Sequence, residues 1–253
     1  MEYANKDDII KTVNDSLNRA EELWKNTLDK DKITNFAKEA ETNIPGHRYL
    51  GKDKYKSDCF LAFMLDMRDS TTHLIQAISA RIAKVSEMER VFYEISALLP
   101  AMAKIIENEK TEGAVTEYLG DGLLALFQFP FNDTKKREDV CRVTINVAND
   151  CFEALHNIVN PILFKRYSLP ALSMGIGMSF SQSIITHFGI SPNTQVKVIG
   201  RCIYDASKLS KGRNEIAVHD NLERVWTYSQ GGKLKFLHRK FDDIDGYIVN
   251  KGL

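Results

Sequence analysis

The stretch Ala114-Val115-Thr116-Glu117-Tyr118-Leu119-Gly120-Asp121-Gly122-Leu123-Leu124-Ala125-Leu126-Phe127 decides how the chain is read. Two strand-like runs, 114–118 and 123–129, flank Gly120-Asp121-Gly122, and a glycine-rich dyad or triad between such runs marks a hairpin turn. Upstream, Cys59 to Met67 is an almost unbroken apolar run closing on Asp66, which suits a strand buried on both faces. Ser70 or Thr71 can then cap a helix, because their hydroxyls accept from the free amides of its first turn. Each aspartate alone reads as ordinary; an Asp between glycines is commonly just a turn residue. Together, at a strand end and a neighbouring hairpin tip, two carboxylates can hold hard cations while helix amides hold phosphate oxygens.

Outward from these motifs, helical periodicity runs from the Ser70 cap to about Lys110, with Pro100 expected to kink or break it. Asn132, Asp133 and Thr134 offer caps for a helix with the stripe Val140, Val143, Val147, Cys151, Leu155 and Ile158, which Asn160-Pro161 should stop. Leu172–Phe180 and Ser183–Phe188 read as a strand pair, Cys202–Ser210 as a short helix, and Glu215–Val218 and Tyr247–Val249 as strands. Antiparallel pairs with helices interposed predict an α+β fold, helices packed on a largely antiparallel sheet. Before it, Ile10, Val13, Leu17, Ala20, Trp24 and Leu28 fall at helical steps, a shorter pattern follows at Ile33, Phe36, Ala37 and Ala40, and Asn43-Ile44-Pro45-Gly46 breaks it. Residues 1–57 therefore read as an N-terminal helical extension and connector, and 58–253 as the main domain.

Composition narrows the function classes. The chain has 253 residues, 43% of them hydrophobic, enough for one substantial core. Its 34 Lys and Arg balance 34 Asp and Glu, so no net charge draws it to nucleic acid or anionic lipid. The four cysteines, 59, 141, 151 and 202, have no metal-knuckle or redox spacing and are expected as buried free thiols of a reducing compartment. The six histidines form no ligand-spaced pair, and none is assigned to a metal. A charged N-terminus leading into no apolar stretch excludes a signal peptide, and no window approaches ~20 apolar residues, so a cytoplasmic protein with neither membrane nor nucleic-acid partner is expected.

Four motifs carry a family resemblance. Phe63-Met64-Leu65-Asp66-Met67-Arg68-Asp69-Ser70-Thr71 resembles the first metal motif of class III adenylate and guanylate cyclases, and Tyr118–Phe127 their second metal hairpin. Gly175-Ile176-Gly177-Met178 resembles the strand after their long helix. Val198-Ile199-Gly200 through Tyr204-Asp205-Ala206-Ser207-Lys208-Leu209 is similar to the segment bearing their base-selecting and transition-state residues. The resemblance spans about residues 58 to 250 in order. It implies a head-to-tail homodimer whose active sites form at the interface, with Asp66, Asp121 and the main chain of Met67 holding two Mg²⁺ or Mn²⁺. It implies a nucleoside triphosphate substrate, closed by attack of the ribose 3′-oxygen on the α-phosphorus with pyrophosphate leaving. Main-chain amides from Met67 through Arg68, Asp69 and Ser70 to Thr71 would cradle the β- and γ-phosphates, with Arg68 and, more loosely, Arg239 or Lys240 as further phosphate contacts.

The departures bear on the substrate. The base-selecting positions hold Glu117, where adenylate cyclases carry lysine, and Lys197, where they carry Asp and guanylate cyclases Cys. A glutamate only accepts hydrogen bonds and a lysine only donates. Guanine could place N1–H and N2–H₂ on Glu117 and O6 on Lys197; uracil could place N3–H and a carbonyl there; cytosine its N4 amine and N3 or O2. The family's transition-state Asn and Arg are Tyr204 and Lys208, the second losing the bidentate fork of arginine. Such substitutions in a small stand-alone chain resemble the Pycsar pyrimidine cyclases of bacterial anti-phage defence. That likeness implies cyclic UMP or cyclic CMP read by a separate effector, with Met64 and Tyr204 as walls against purines. A guanylate or adenylate cyclase, or an inactive nucleotide-binding module of the same fold, is the alternative.

Overall fold

The computed structural model describes residues 5–26, 42–50, 55–75, 85–190, 193–227 and 234–251. Its centre is β1 (Lys56–Met67), whose side chains alternate between two apolar environments as a pleated strand requires. Cys59, Leu61, Phe63, Leu65 and Met67 enter the main core, whereas Phe60, Ala62 and Met64 enter a second core on the other face. Asp66 continues the second series, so its carboxylate leaves the sheet on that side.

Two helices and a hairpin follow: α2 (Ser70–Ile75), α3 (Glu87–Ile106), β2 (Gly113–Tyr118) and β3 (Gly122–Gln128). Ser86 starts α3 with a reciprocal capping box to Glu89, two first-turn donors being satisfied at once. Pro100 does not end α3, which runs through it, because buried Ala97 and Leu98 before it and Ala101 and Met102 after it anchor both halves to the core. The helix expected from Ser70 to Lys110 is α2 and α3 among the described residues, with 76–84 outside them.

Asp133 caps α4 (Thr134–Ala154) by accepting from the Lys136 amide at 3.0 Å. Asn160-Pro161 does not stop this helix. A π-helical turn at Leu155–Val159 widens the ladder, and Pro161 sits in the first turn of α5 (Asn160–Tyr167), where its missing N–H leaves no helical bond unmade. Ser168, left-handed at φ 57°, ends it instead.

The predicted pair 172–180 and 183–188 is one long strand, β4 (Met174–Ile190), and its hairpin partner is β5 (Asn193–Gly200). Then come α6 (Arg201–Leu209), β6 (Glu215–His219), α7 (Asp220–Thr227), β7 (Leu234–Phe241) and β8 (Ile244–Lys251). Among the described residues the strands form one sheet in the order β2-β3-β1-β4-β6-β8-β7, with β5 hydrogen-bonded to the outer half of β4. Only β4 and β6 run parallel, so the sheet is largely antiparallel, as expected.

α1 (Lys6–Asn26) covers the expected start of the N-terminal helix, and the pattern at 33–40 lies outside the described residues. Ile9, Val13, Leu17 and Ala20 of α1 are buried in the same core as α3 and α4. Opposite, α6 covers the second face together with Ile44 and Leu50 of the connector. The four cysteines are buried and unpaired. No helix among the described residues is long and apolar enough to cross a membrane.

Candidate active site

The two aspartates meet at one end of the β1–β3 pair. Asp66 stands opposite Gly122 on β3 and Gly175 on β4, and the Met67 amide donates to the Asp121 carbonyl at 3.2 Å. The approach is close enough to require glycine: a Cβ on Gly122 would lie 2.4 Å from the Leu65 carbonyl oxygen and 3.4 Å from Asp66 Oδ1. Gly120, at φ +75°, supplies the left-handed residue of the turn. Ser70, first residue of α2, donates its hydroxyl to the Asp121 carboxylate.

Arg68 was expected on phosphate. It is turned back instead, its guanidinium paired with Asp66 and reaching the Lys211 carbonyl at 3.3 Å. Burial depresses its pKa while the Asp121 charge opposes that shift, and its Nε is buried without a partner. Two carboxylates thus surround a cation that the protein itself provides. An all-oxygen pair of this kind fits Mg²⁺ or Mn²⁺, which take one or two protein carboxylates and leave the remaining positions to substrate phosphate and water. Among the described residues no third His, Cys, Asp or Glu joins them.

The expected phosphate cradle is smaller than five amides. Met67 N–H is committed to Asp121 and Arg68 N–H to the Ser173 carbonyl at 2.8 Å, leaving the Asp69, Ser70 and Thr71 end, where a first helical turn has no acceptors of its own. Asp69 has left-handed geometry, φ 64°, and its carboxylate is held by Arg213, whose hydrogen bond lowers the Asp69 pKa. Arg213, also 2.6 Å from Ser173 Oγ, was not singled out from the sequence; it lies in the polar turn before β6. The loop is braced from behind by His73, 2.8 Å from the fully buried Glu94, which also accepts from Arg90 at 2.8 Å.

The base-selecting candidates converge although their strands are not neighbours. Lys197 on β5 and Glu117 on β2 form an ion pair at 2.8 Å. A cavity of about 230 Å³ opens at this pair, lined also by Thr116, Gln195, Val196 and Val198, and by Thr42, Asn43 and Ile44 of the connector. Met64 does not reach this cavity; it is 6% exposed, packed in the second core with Leu124.

Tyr204 and Lys208 lie one turn apart on α6, the Lys208 ammonium 5.6 Å from the Tyr204 ring centre. Both meet the β7–β8 turn: Tyr204 Oη donates to Asp243 at 3.4 Å and Lys208 to Asp242 at 3.3 Å. Asp242 raises the Lys208 pKa, and a 2.6 Å bond from Lys211 lowers that of Asp242. These acidic partners escaped the sequence reading because β7 did. Lys240 is exposed on β7, the outermost strand, and Arg239 pairs with Glu215 at 2.8 Å.

No family model and no curated protein matches the sequence. Among solved structures, the guanylyl cyclase Cya2 aligns over 77% of this chain and 92% of its own, with 17% identity and a TM-score of 0.60. The adenylyl cyclase CyaB from P. aeruginosa aligns over 79% and 97%, with 13% identity and a TM-score of 0.61. The guanylate cyclase domain of RhGC from Catenaria anguillulae, solved in complex with GTP, aligns over 78% and 100%, with 15% identity and a TM-score of 0.55.

The chain has the class III nucleotide cyclase fold. Within this fold one chain carries two separate clusters, the aspartates with the Ser70 loop, and the Glu117–Lys197 cavity.

Proposed function

We propose that the chain is a nucleotide cyclase, converting a nucleoside triphosphate into its 3′,5′-cyclic nucleotide and pyrophosphate as a head-to-tail homodimer. The observation that carries this reading is the side-by-side placement of Asp66 and Asp121 across the β1–β3 pair, next to the Ser70 loop, on this fold. Asp66, Asp121 and the Met67 carbonyl would hold two Mg²⁺ or Mn²⁺, which when bound supply charge neutralisation of the triphosphate and an acidified ribose 3′-hydroxyl.

The chain's own groups do the positioning. Helix-start amides at Asp69 to Thr71 would hold terminal phosphate oxygens, and the rotation of Arg68 off Asp66 would add a guanidinium to them. Lys208, kept protonated by Asp242, and the Tyr204 hydroxyl would meet charge developing on the α-phosphate from the partner's side. In-line displacement needs no covalent enzyme intermediate. An isologous pairing supplies each site with one cluster from either chain.

For the base, Glu117 and Lys197 retain spare lone pairs and N–H groups while paired, so a ring presenting N–H beside a carbonyl can bridge them. This pattern supports uracil or guanine; cytosine can bridge the pair with its N4 amine and N3, an arrangement that adenine offers too with its N6 amine and N1. We favour a pyrimidine, UTP or CTP, with the product acting as a second messenger for a separate effector in anti-phage defence, on the resemblance to Pycsar cyclases. Guanosine triphosphate is the second reading, since the Glu117–Lys197 pairing accommodates guanine equally well.

The test is incubation of the purified protein with Mn²⁺ and ATP, GTP, CTP or UTP separately, with products identified by mass spectrometry. Cyclic UMP or cyclic CMP is expected. Cyclic GMP would transfer the chain to the guanine reading and remove the anti-phage role. An inactive nucleotide-binding module would give no cyclic product from any of the four.

A further inference from the structure

The cavity at Glu117 and Lys197 has a wall from outside the cyclase-like region. Thr42, Asn43 and Ile44 line it, although they belong to the connector that precedes β1. This segment is a built turn. Thr42 Oγ1 accepts from the Ile44 amide at 2.9 Å and donates to the His47 carbonyl at 3.1 Å, and main-chain bonds close it between Thr42 and Arg48 and between Ile44 and His47. Gly46, at φ +75°, lets the chain reverse against Gln128.

The turn is also fastened to the sheet at three places. His47 Nε2 lies 2.8 Å from Asp58 on β1, whose carboxylate also accepts from Gln128 on β3 at 3.0 Å. His187 on β4 lies 3.3 Å from the Leu50 carbonyl. Ile44 and Leu50 are buried in the second core beside Val198, the neighbour of Lys197. In contrast Asn43 is exposed, between two buried residues, and is among the groups facing the cavity. A turn held this firmly has little freedom to move aside when a ring enters.

We propose that residues 42–44 form a specificity wall of the base pocket and that Asn43 reads the base edge which Glu117 and Lys197 leave unpaired. This rests on the cyclase reading of the cavity. Glutamate offers only acceptors and lysine only donors, whereas a carboxamide offers both. Asn43 can therefore donate to a second ring carbonyl or accept from an exocyclic amine, the group in which the three candidate bases differ.

The experiment uses the full chain with Mn²⁺ and the four 3′-deoxynucleoside triphosphates, which lack the attacking oxygen and cannot be cyclised. Affinities are measured by equilibrium dialysis for the wild type, Asn43→Ala and Asn43→Asp. Asn43→Ala should weaken the tightest of the four by roughly 3- to 10-fold more than the weakest, the loss of one net hydrogen bond. Asn43→Asp, similar in size but without donors, should re-rank the four toward bases that present N–H groups. Equal shifts for all four, or an unchanged ranking in both variants, would overturn the wall. Failure of the wild type to bind any triphosphate would remove the site and the wall together. Binding by the wild type without cyclic product from the ribonucleotides would remove only the cyclase reading, and the rankings would still decide the wall.

Discussion

Asp66 and Asp121 carry the proposed chemistry through oxygen ligands alone, so a neutral amide of equal size is the sharpest probe. Asp66→Asn or Asp121→Asn should keep the fold and lower cyclic-nucleotide formation by on the order of 10³-fold, measured as initial rate with Mn²⁺. Their places at a strand end and a glycine-flanked turn were legible in the sequence because both features are readable from local pattern. Their surroundings were not: Arg213 on Asp69 and Asp242 on Lys208 join residues far apart in the chain, and the folding back of Arg68 onto Asp66 depends on the packed loop around Lys211. Met64 lies buried in the second core and not along the cavity, since strand parity gives the face of a side chain and not whether a helix covers it. The cysteines test burial at this same scale. Burial raises the Cys59 thiol to about 11 and the Cys141 thiol to about 12. Folded pKa values above the ordinary 9.0 mean that the native state holds these protons more tightly. The resulting stability is complete below about pH 9 and is lost as pH rises through 11 to 12. The urea midpoint should therefore fall between pH 9 and 11, less so in Cys141→Ala, and native thiols should resist alkylation at pH 8 until urea is added.

At the level of elements, the helix that bears Tyr204 and Lys208 is set by how closely α6 can lie on β4. A Cβ on Gly177 would stand 2.1 Å from the Ala206 carbonyl oxygen and 2.5 Å from the Ser210 nitrogen, both main-chain atoms that cannot rotate away. Gly177→Ala should thus cost about 1–3 kcal/mol in urea unfolding and push α6 outward, lowering activity beyond the loss of folded protein. Gly175 and Gly177 were visible as a motif, yet the reason for them required the packed helix. Strands β1 and β3 were readable because their central runs, Cys59–Leu65 and Leu123–Phe127, are wholly apolar, both faces being covered. β7 was missed because it lies at the sheet edge with charged, exposed positions, Lys235, His238, Arg239 and Lys240 among them, that break the alternation. Pro100 does not break α3 because core packing carries the helix across it, whereas Pro161 misled because a π-helical turn places it where no amide is needed.

For the whole molecule, the decisive feature is the division of residues between two clusters on one chain. The aspartates and Ser70 loop form one and the Glu117–Lys197 pair the other, while Tyr204 and Lys208 stand apart on α6 against Asp243 and Asp242 and would act with the second across the proposed dimer. α1 belongs with this body, since its apolar stripe is buried in the main core, although periodicity alone could not say against what. Exposed Ile184, Phe188 and Ile199 on β4 and β5 give an apolar surface beside Lys197. If two chains share each site, specific activity should fall on dilution. The most direct test mixes two variants, Asp121→Asn and Lys208→Ala, and measures cyclic-nucleotide formation by the mixture. Each alone should be nearly silent, and after subunit exchange about a quarter of wild-type activity should return, because half the dimers then carry one intact site of two. A mixture as silent as its components, alongside an active wild type, would contradict the shared site and place the chemistry within a single chain.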